Sequence, residues 1–165
     1  MTPALRIVPL GEAHIPALVA LFEQAVRRIG PQHYNSEQVE QWARGAHHPG
    51  FVSQLREHQG WVVLDTSERP LGFVTLSQDG HLSLLYVSAD HQRQGLGNLL
   101  VMTALMSAQA AGLHGLTTEA SAFSYPLFLR HGFTLTGLEE VSRGGIRFTR
   151  YRLHLCLPHP LVPLR

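Results

Sequence analysis

The chain has 165 residues, a formal net charge of +1, 44% hydrophobic and 15% charged residues. This is enough for one domain with a real core, and the composition is that of an ordinary globular protein rather than a disordered one. The charge pattern excludes the basic stripe of a nucleic-acid binder, since only local pairs such as Arg27-Arg28 occur. A single cysteine, Cys156, excludes an intrachain disulfide framework and any multi-cysteine metal site.

Met1 to Arg6 lacks the charged region and long apolar run of a signal peptide. No apolar stretch reaches the roughly 20 residues of a membrane span. The expectation is a cytoplasmic protein, one domain over 1–165, with no membrane or nucleic-acid partner. The 11 histidines are scattered, with His47-His48 the one adjacent pair and no His-Glu-x-x-His spacing, so no metal is expected. Cys156 falls in an alternating strand pattern and reads as a buried structural thiol.

In chain order, Leu5 to Leu10 reads as a strand. Glu12 to Ile29 has helical periodicity, with Ile15, Leu18, Val19, Phe22, Val26 and Ile29 on one face, and Gly30-Pro31 ends it. Asn35 with Gln38 three residues on is a capping-box start for a helix to about Ala46. Phe51 to His58 forms a further short helix. Trp61 to Asp65, Leu71 to Ser77 and His81 to Val87 are strands, and Asp79-Gly80 is a hairpin signal between the last two. A helix runs from Leu96 to Ala111, closed by Gly112. Leu116 to Ala120 is a strand and Phe123 to His131 a helix. Phe133 to Ser142 and Ile146 to Leu155 are strands joined at Arg143-Gly144-Gly145. The tail 158–165 is expected to be extended. Hairpins dominate, with helical crossovers in the second half. The fold class is α/β (α+β), with a mixed, mostly antiparallel sheet of about seven strands flanked by about four helices.

The informative stretch is His91-Gln92-Arg93-Gln94-Gly95-Leu96-Gly97-Asn98. A strand runs into a glycine-bearing turn that opens a helix. The first N–H groups of a helix lack intrahelical partners and carry partial positive charge, so a phosphate is their natural guest. Gly95 and Gly97 permit close approach, and Arg93 adds a cation. A Rossmann fingerprint fails, because Leu100 stands at the third glycine position. A Walker loop fails, because Gly97-Asn98-Leu99 has neither lysine nor hydroxyl. The pattern Gln/Arg-x-x-Gly-x-Gly/Ala remains, and Gln92 to Gly97 matches it.

With Leu85-Tyr86-Val87 before the turn and Phe128-Leu129-Arg130-His131-Gly132-Phe133 after the helix, the sequence resembles the GNAT acetyltransferase superfamily over about residues 4–156. Glu119-Ala120-Ser121, Pro126-Leu127-Phe128, Tyr34 and Trp42 are similar to a bacterial YafP-like branch. The resemblance implies acetyl transfer from acetyl-CoA to a primary amine of a small molecule or protein, by direct attack through a tetrahedral intermediate and without a metal. It implies a splayed central strand pair, His81–Val87 and Leu116–Ala120, with pantetheine in the gap. Leu85, Tyr86 and Val87 would meet pantetheine. Gln92, Arg93, Gln94, Gly95, Leu96, Gly97 and Asn98 would hold the pyrophosphate. Ser121, where the family often has Asn, and Phe128 would line the arm. A second copy of the chain is admitted as a partner.

For catalysis the resemblance points first to His81, six residues before Val87, where histone-acetylating relatives carry their glutamate. An imidazole suits a base near neutrality. Glu119, across the splay, is the second candidate, and Asp79 is explained by its turn. Phe128 stands where many relatives have a tyrosine that protonates the leaving thiolate. Tyr125 is a substitute one turn earlier, although a thiolate can leave unaided. His33, Tyr34, Trp42 and Phe73 are candidate acceptor-site residues, with core packing the simpler account of Trp42 and Phe73. The alternative function is a CoA-binding regulatory or interaction module without useful transfer. The identity of the acceptor is not legible.

Overall fold

The computed structural model describes residues 4–158. The tail expected beyond Pro158 lies outside the described residues. The elements follow the order β1 (Arg6–Pro9), α1 (Ile15–Ile29), α2 (Ser36–Ala43), α3 (Pro49–Glu57), β2 (Gln59–Leu64), β3 (Pro70–Leu76), β4 (Leu82–Val87), α4 (Leu96–Ala110), β5 (Gly115–Ala120), α5 (Tyr125–Arg130), β6 (Thr134–Arg143) and β7 (Ile146–Cys156). Short 3-10 turns precede α1 and follow α1 and α2.

Local chemistry sets several of these boundaries. Asn35 Oδ1 accepts from the Gln38 amide at 2.8 Å, and Gln38 Oε1 accepts from the Asn35 amide at 3.0 Å. Two otherwise orphan donors at the start of α2 are thereby satisfied. The turn before β4 has Gly80 at φ 95°, a conformation that penalises other residues. The apolar face of α1 buries Ile15, Leu18, Leu21, Phe22, Ala25, Val26 and Ile29. Leu21 and Ala25 join the expected stripe, while Val19 sits at its edge.

Among the described residues seven strands form as expected, in two sheets that part at the expected splay between β4 and β5. Strands β1-β2-β3-β4 make an antiparallel sheet, and β5-β7-β6 make another. Among the described residues, one parallel bridge, His81 with Thr117, links β4 to β5. Among the described residues there are five α-helices, at the five segments read as helical, where the fold class counted about four.

Consecutive residues of the inner strands enter opposite cores. In β2, Val62 and Leu64 pack with α1, α2 and α3, whereas Val63 packs with α4. In β4, Leu84 and Tyr86 turn to the first core, and Leu85 and Val87 to the second. Burial on both faces explains the near-continuous apolar runs in these strands. Phe73 is fully buried in the first core. Cys156 corrects the sequence reading: it is exposed at the end of β7, because the alternation there places Leu153 and Leu157, not the thiol, inward. Among the described residues, no helix is long and apolar enough to cross a membrane.

Leu100 of α4 is fully buried, and its Cδ1 lies 3.1 Å from where a Cβ on Gly72 would stand. Such close packing leaves little room for collapse. Leu100→Ala is expected to cost about 2–5 kcal/mol, read from the urea midpoint at unchanged slope. A cost below about 1 kcal/mol would show that the α4–β3 contact is looser than described.

Candidate active site

The two sheets are pinned at one end and open at the other. At the closed end, the Thr117 amide donates to Gly80 O at 3.0 Å, and Thr118 Oγ1 donates to Leu82 O at 2.8 Å. Beyond Leu82, β4 and β5 share no ladder. The orientation of β4 amides follows from its other edge. The Ser88 amide donates to Leu71 O at 2.8 Å, and Tyr86 is registered with Phe73. Amides alternate along an antiparallel strand, so those of Leu85 and Val87 face the gap. The Val87 carbonyl, also facing the gap, accepts from Gln92 Nε2 at 2.9 Å; the same nitrogen reaches Ser88 O at 3.1 Å.

Gln92 ties the glycine turn to the end of β4. Arg93 has φ 60° and Gly95 φ 80°, so the turn is a left-handed step into α4. The first helical bond of α4 is Leu99 N–H to Gly95 O at 3.0 Å, and no side chain caps this end. The amides of Leu96, Gly97 and Asn98 therefore lack intrahelical partners. A Cβ on Gly95 would meet nothing within 4 Å, whereas one on Gly97 would lie 3.0 Å from Leu127 Cδ2. The two glycines do different work: Gly95 supplies the turn, and Gly97 lets α4 pack against α5.

A cleft of about 290 Å³ follows the gap from Leu82 to this turn. Leu85, Tyr86, Val87, Gln92, Arg93, Gly95, Leu96, Gly97, Asn98, Ser121 and Phe128 all line it. Gln94 is exposed and outside the lining. Sequence reasoning missed Arg130, which faces the cleft from the end of α5. Neither Arg93 nor Arg130 has an ion pair among the described residues. The signal for Arg130 lay within the aromatic-to-Gly-Phe stretch, read there for its aromatic ends alone. Ser121 Oγ accepts from the Ser124 amide at 3.1 Å, so this hydroxyl is committed to the loop that opens α5.

A wider cavity of about 1020 Å³ lies on the other side of β4. It shares Trp42, Ser83, Tyr86, Glu119 and Ser121 with the cleft. The β6–β7 hairpin roofs it and docks on α2, where Gln38 Nε2 donates to Arg147 O at 2.9 Å. Tyr34 and Trp42 line it with rings 5.3 Å apart, and the Ala122 amide donates to Tyr34 Oη at 2.9 Å. Phe73 lines neither cavity, which corrects its assignment as an acceptor residue: its side chain is fully enclosed in the core. His33 is exposed outside both linings, its ring 6.0 Å from Phe123.

His81 and Glu119, 38 positions apart, meet here. His81 Nε2 lies 2.7 Å from Glu119 Oε2, and His81 Nδ1 lies 2.8 Å from Thr117 Oγ1. Both imidazole nitrogens are thus engaged. Glu119 reaches both cavities, whereas His81 lines only the wider one. Tyr125 is not brought to the site: its ring stacks on Tyr151 at 4.4 Å and 21°. Phe128 is 2% exposed and packs edge-on against Phe133 at 5.1 Å.

Tyr86 stands between the cavities. The residue borders the cleft and is half-buried overall, but its phenol end is enclosed by Phe22, Phe73 and Trp42. Trp42 Nε1 donates to Tyr86 Oη at 3.3 Å. Burial pushes the phenol up to about 12, partly opposed by the Trp42 bond and the Arg143 cation. Burial likewise raises Tyr34 above the usual tyrosine value.

A family model described as an acetyltransferase (GNAT) domain matches residues 31–155. An uncharacterised N-acetyltransferase, YafP of Escherichia coli K12, is 28% identical over 134 residues, 81% of this chain and 84% of that protein. The peptidyl-lysine N-acetyltransferase YjaB of Salmonella typhimurium is 32% identical over 91 residues, 55% of this chain and 61% of that protein. A GCN5-related N-acetyltransferase structure from Rhodopseudomonas palustris superposes with a TM-score of 0.86 at 26% identity, covering 95% of this chain and 97% of that one. The PaiA N-acetyltransferase of Thermoplasma acidophilum, solved with coenzyme A, shares the fold at a TM-score of 0.73 and 13% identity, covering 93% and 99%.

The Tyr86 phenol yields a pH test. It keeps its proton to about 12 when folded but to 10.0 as an ordinary tyrosine. Stability from the neutral phenol is therefore complete below pH 10 and is lost as pH rises toward 12. The parent protein should lose roughly 3 kcal/mol across that window that Tyr86→Phe retains. Urea titrations at stepped pH read this, and parallel curves for the two proteins would refute the enclosed phenol.

Proposed function

The chain belongs to the acetyltransferase (GNAT) family, in its bacterial YafP-like branch, and from that premise we propose that it is an acetyl-CoA-dependent N-acetyltransferase acting on a primary amine. The observation that carries this is the opened β4 edge running into the uncapped start of α4. Leu85 and Val87 present amides to a gap that β5 has left. An unpaired strand edge lining a cleft offers amides to a guest, and the two amides of a pantetheine arm complement them. Three unpartnered amides and two unpaired guanidiniums, Arg93 and Arg130, complement a pyrophosphate.

The bound donor supplies an acetyl thioester. The Val87 amide is the candidate donor for the thioester oxygen as charge develops there. Glu119 takes the proton of the incoming ammonium, because it alone of the paired candidates borders both cavities. His81 orients it, since its Nε2 holds one carboxylate oxygen and Thr117 fixes the other side of the ring. This reverses the order of the two base candidates taken from sequence. The acceptor enters from the wider cavity, past Tyr34 and Trp42. No side-chain acid is assigned: Phe128 has no hydroxyl, and Tyr125 is stacked away on Tyr151. A thiolate of ordinary basicity leaves without one.

Two measurements test this. A Cβ on Gly95 meets nothing in the protein itself, so Gly95→Asn, a residue that tolerates the left-handed φ of 80°, should fold at a strain of about 1 kcal/mol and set a side chain against a ligand. Coenzyme A at 100 times its dissociation constant should stabilise the parent by about 2.7 kcal/mol and leave this variant unmoved. Equal stabilisation of both would remove the turn from the binding site. Glu119→Gln should lower kcat by about 10²-fold or more at unchanged coenzyme A affinity, with a smaller loss for His81→Ala. Thiol release across an amine panel reads both, and an unaltered rate in Glu119→Gln would assign the proton to solvent. Tight coenzyme A binding without turnover on any amine would favour a binding module instead.

A further inference from the structure

Resting on the wider cavity as the acceptor site, we infer that the acceptor is an amine that also carries a carboxylate, anchored by Arg143 and Arg150. The cavity lining is unbalanced in charge. It contains three guanidiniums, Arg44, Arg143 and Arg150, and a single carboxylate, Glu119. Glu119 is already held by His81. Arg44 and Arg150 face Glu40 and Glu139 outside the lining, and Arg143 offsets Glu119, so a purely cationic acceptor such as a polyamine would meet no surplus of negative charge there. An amine with its own negative charge is complementary at both ends.

The three arginines differ in how far they are already satisfied. Arg44 lies 3.9 Å from Glu40 on the same helical turn. Arg150 Nη2 donates to Glu139 at 2.6 Å, yet its buried Nε has no hydrogen-bond partner among the described residues. A buried charged donor without an acceptor is costly, and a ligand oxygen is the group that relieves it. Arg143 has no ion pair among the described residues. Its exposed side chain leaves the hairpin next to Gly144, whose backbone approaches Gln41 so closely that a Cβ would lie 2.8 Å from Oε1. The chain has no lysine. Its fixed cations are therefore planar guanidiniums, which pair with carboxylates in two parallel bonds.

Register sets the spacing. Glu119 of β5 pairs with Arg152 of β7, so Arg150 is its diagonal neighbour on the same sheet face. Diagonal neighbours lie about 7–8 Å apart. Side chains reaching inward from these positions bracket an acceptor of amino-acid size, with the amine at Glu119 and the carboxylate at the arginines. Aromatic walls from Phe22, Tyr34, Trp42 and Phe148 favour an apolar body on the same acceptor.

The test compares matched amines with and without a carboxylate: phenylalanine with phenethylamine, lysine with cadaverine, 4-aminobenzoate with aniline. With saturating acetyl-CoA, a carboxylated member should exceed its partner in kcat/KM by about ten- to a hundredfold, the range of a charge-assisted pair. Arg143→Gln and Arg150→Gln should each lower kcat/KM more for the carboxylated amine than for its partner. Arg150→Lys should restore less than the parent, since an ammonium lacks the fork. In parallel, calorimetry on the coenzyme A complex compares N-acetylphenylalanine with N-acetylphenethylamine. Binding of coenzyme A without preference for the carboxylated member in either assay overturns this inference and leaves the acetyltransferase reading standing. Failure to bind coenzyme A overturns that reading itself.

Discussion

The structure depends on where the β4–β5 pairing stops. Polar contacts hold the strands together at one end, Thr117 N–H to Gly80 O, Thr118 Oγ1 to Leu82 O and the two sides of the His81 ring to Thr117 and Glu119. After them the sheets diverge, and the strand at the centre of the fold is left with one unpaired edge. An unpaired edge inside a domain is normally avoided, because its amides lose water without gaining partners. Here it is the floor of the cleft. Under the proposed function, the cost of stopping the ladder creates the place for an extended, amide-bearing ligand.

The rest of the architecture keeps that edge open. If β4 relied on β5 for support, separating them would unfold it. It relies instead on β3 and on two cores, one above and one below. Tyr86 and Leu84 anchor it in the α1–α3 core, and Leu85 and Val87 in the α4 core. A register shift in β3 beside Leu84 is repaired by Thr75 Oγ1, which accepts the Leu84 amide at 3.1 Å. The strand is thus held rigidly by three sides while the fourth stays free. That is the arrangement in which an amide can be aimed at a developing charge without reorganisation at the moment of reaction.

Features fixed by neighbours in the chain were legible in the sequence. The Asn35–Gln38 cap, the Asp79-Gly80 turn and the glycine step into α4 each involve residues within a few positions of one another. What the sequence hid are pairings across long separations. The division into two sheets depends on how far β5 twists away after Thr118; no local pattern encodes it, and the splay between His81–Val87 and Leu116–Ala120 was expected from the family resemblance alone. His81 and Glu119 read as rival bases because nothing within either strand announces a 2.7 Å contact between them. Cys156 and Phe73 show the limit of period-two reasoning. Alternation identifies two faces but does not say which is covered, nor whether a covered face borders a cavity. Tyr125 was placed by helical spacing, yet its direction is set by Tyr151 on a strand far along the chain.

Gln92 changes what the first position of the glycine motif means. A polar residue at the head of an anion-binding loop invites assignment to the anion. Its amide nitrogen is instead spent on the carbonyls of Val87 and Ser88, at 2.9 and 3.1 Å. Those carbonyls end the open strand, and Val87 O would otherwise sit unsatisfied in the gap beside the amide of the same residue. By covering the Val87 acceptor and leaving the Val87 donor, Gln92 makes this end of the edge a donor, while the Leu85 carbonyl, on the same side of the strand, stays open beside its own amide. An arginine at this position also carries several donors and no acceptor, and so could do the same. The motif's tolerance of glutamine or arginine then follows from support of the strand end, and under the proposed function the anion falls to the α4 amides, Arg93 and Arg130.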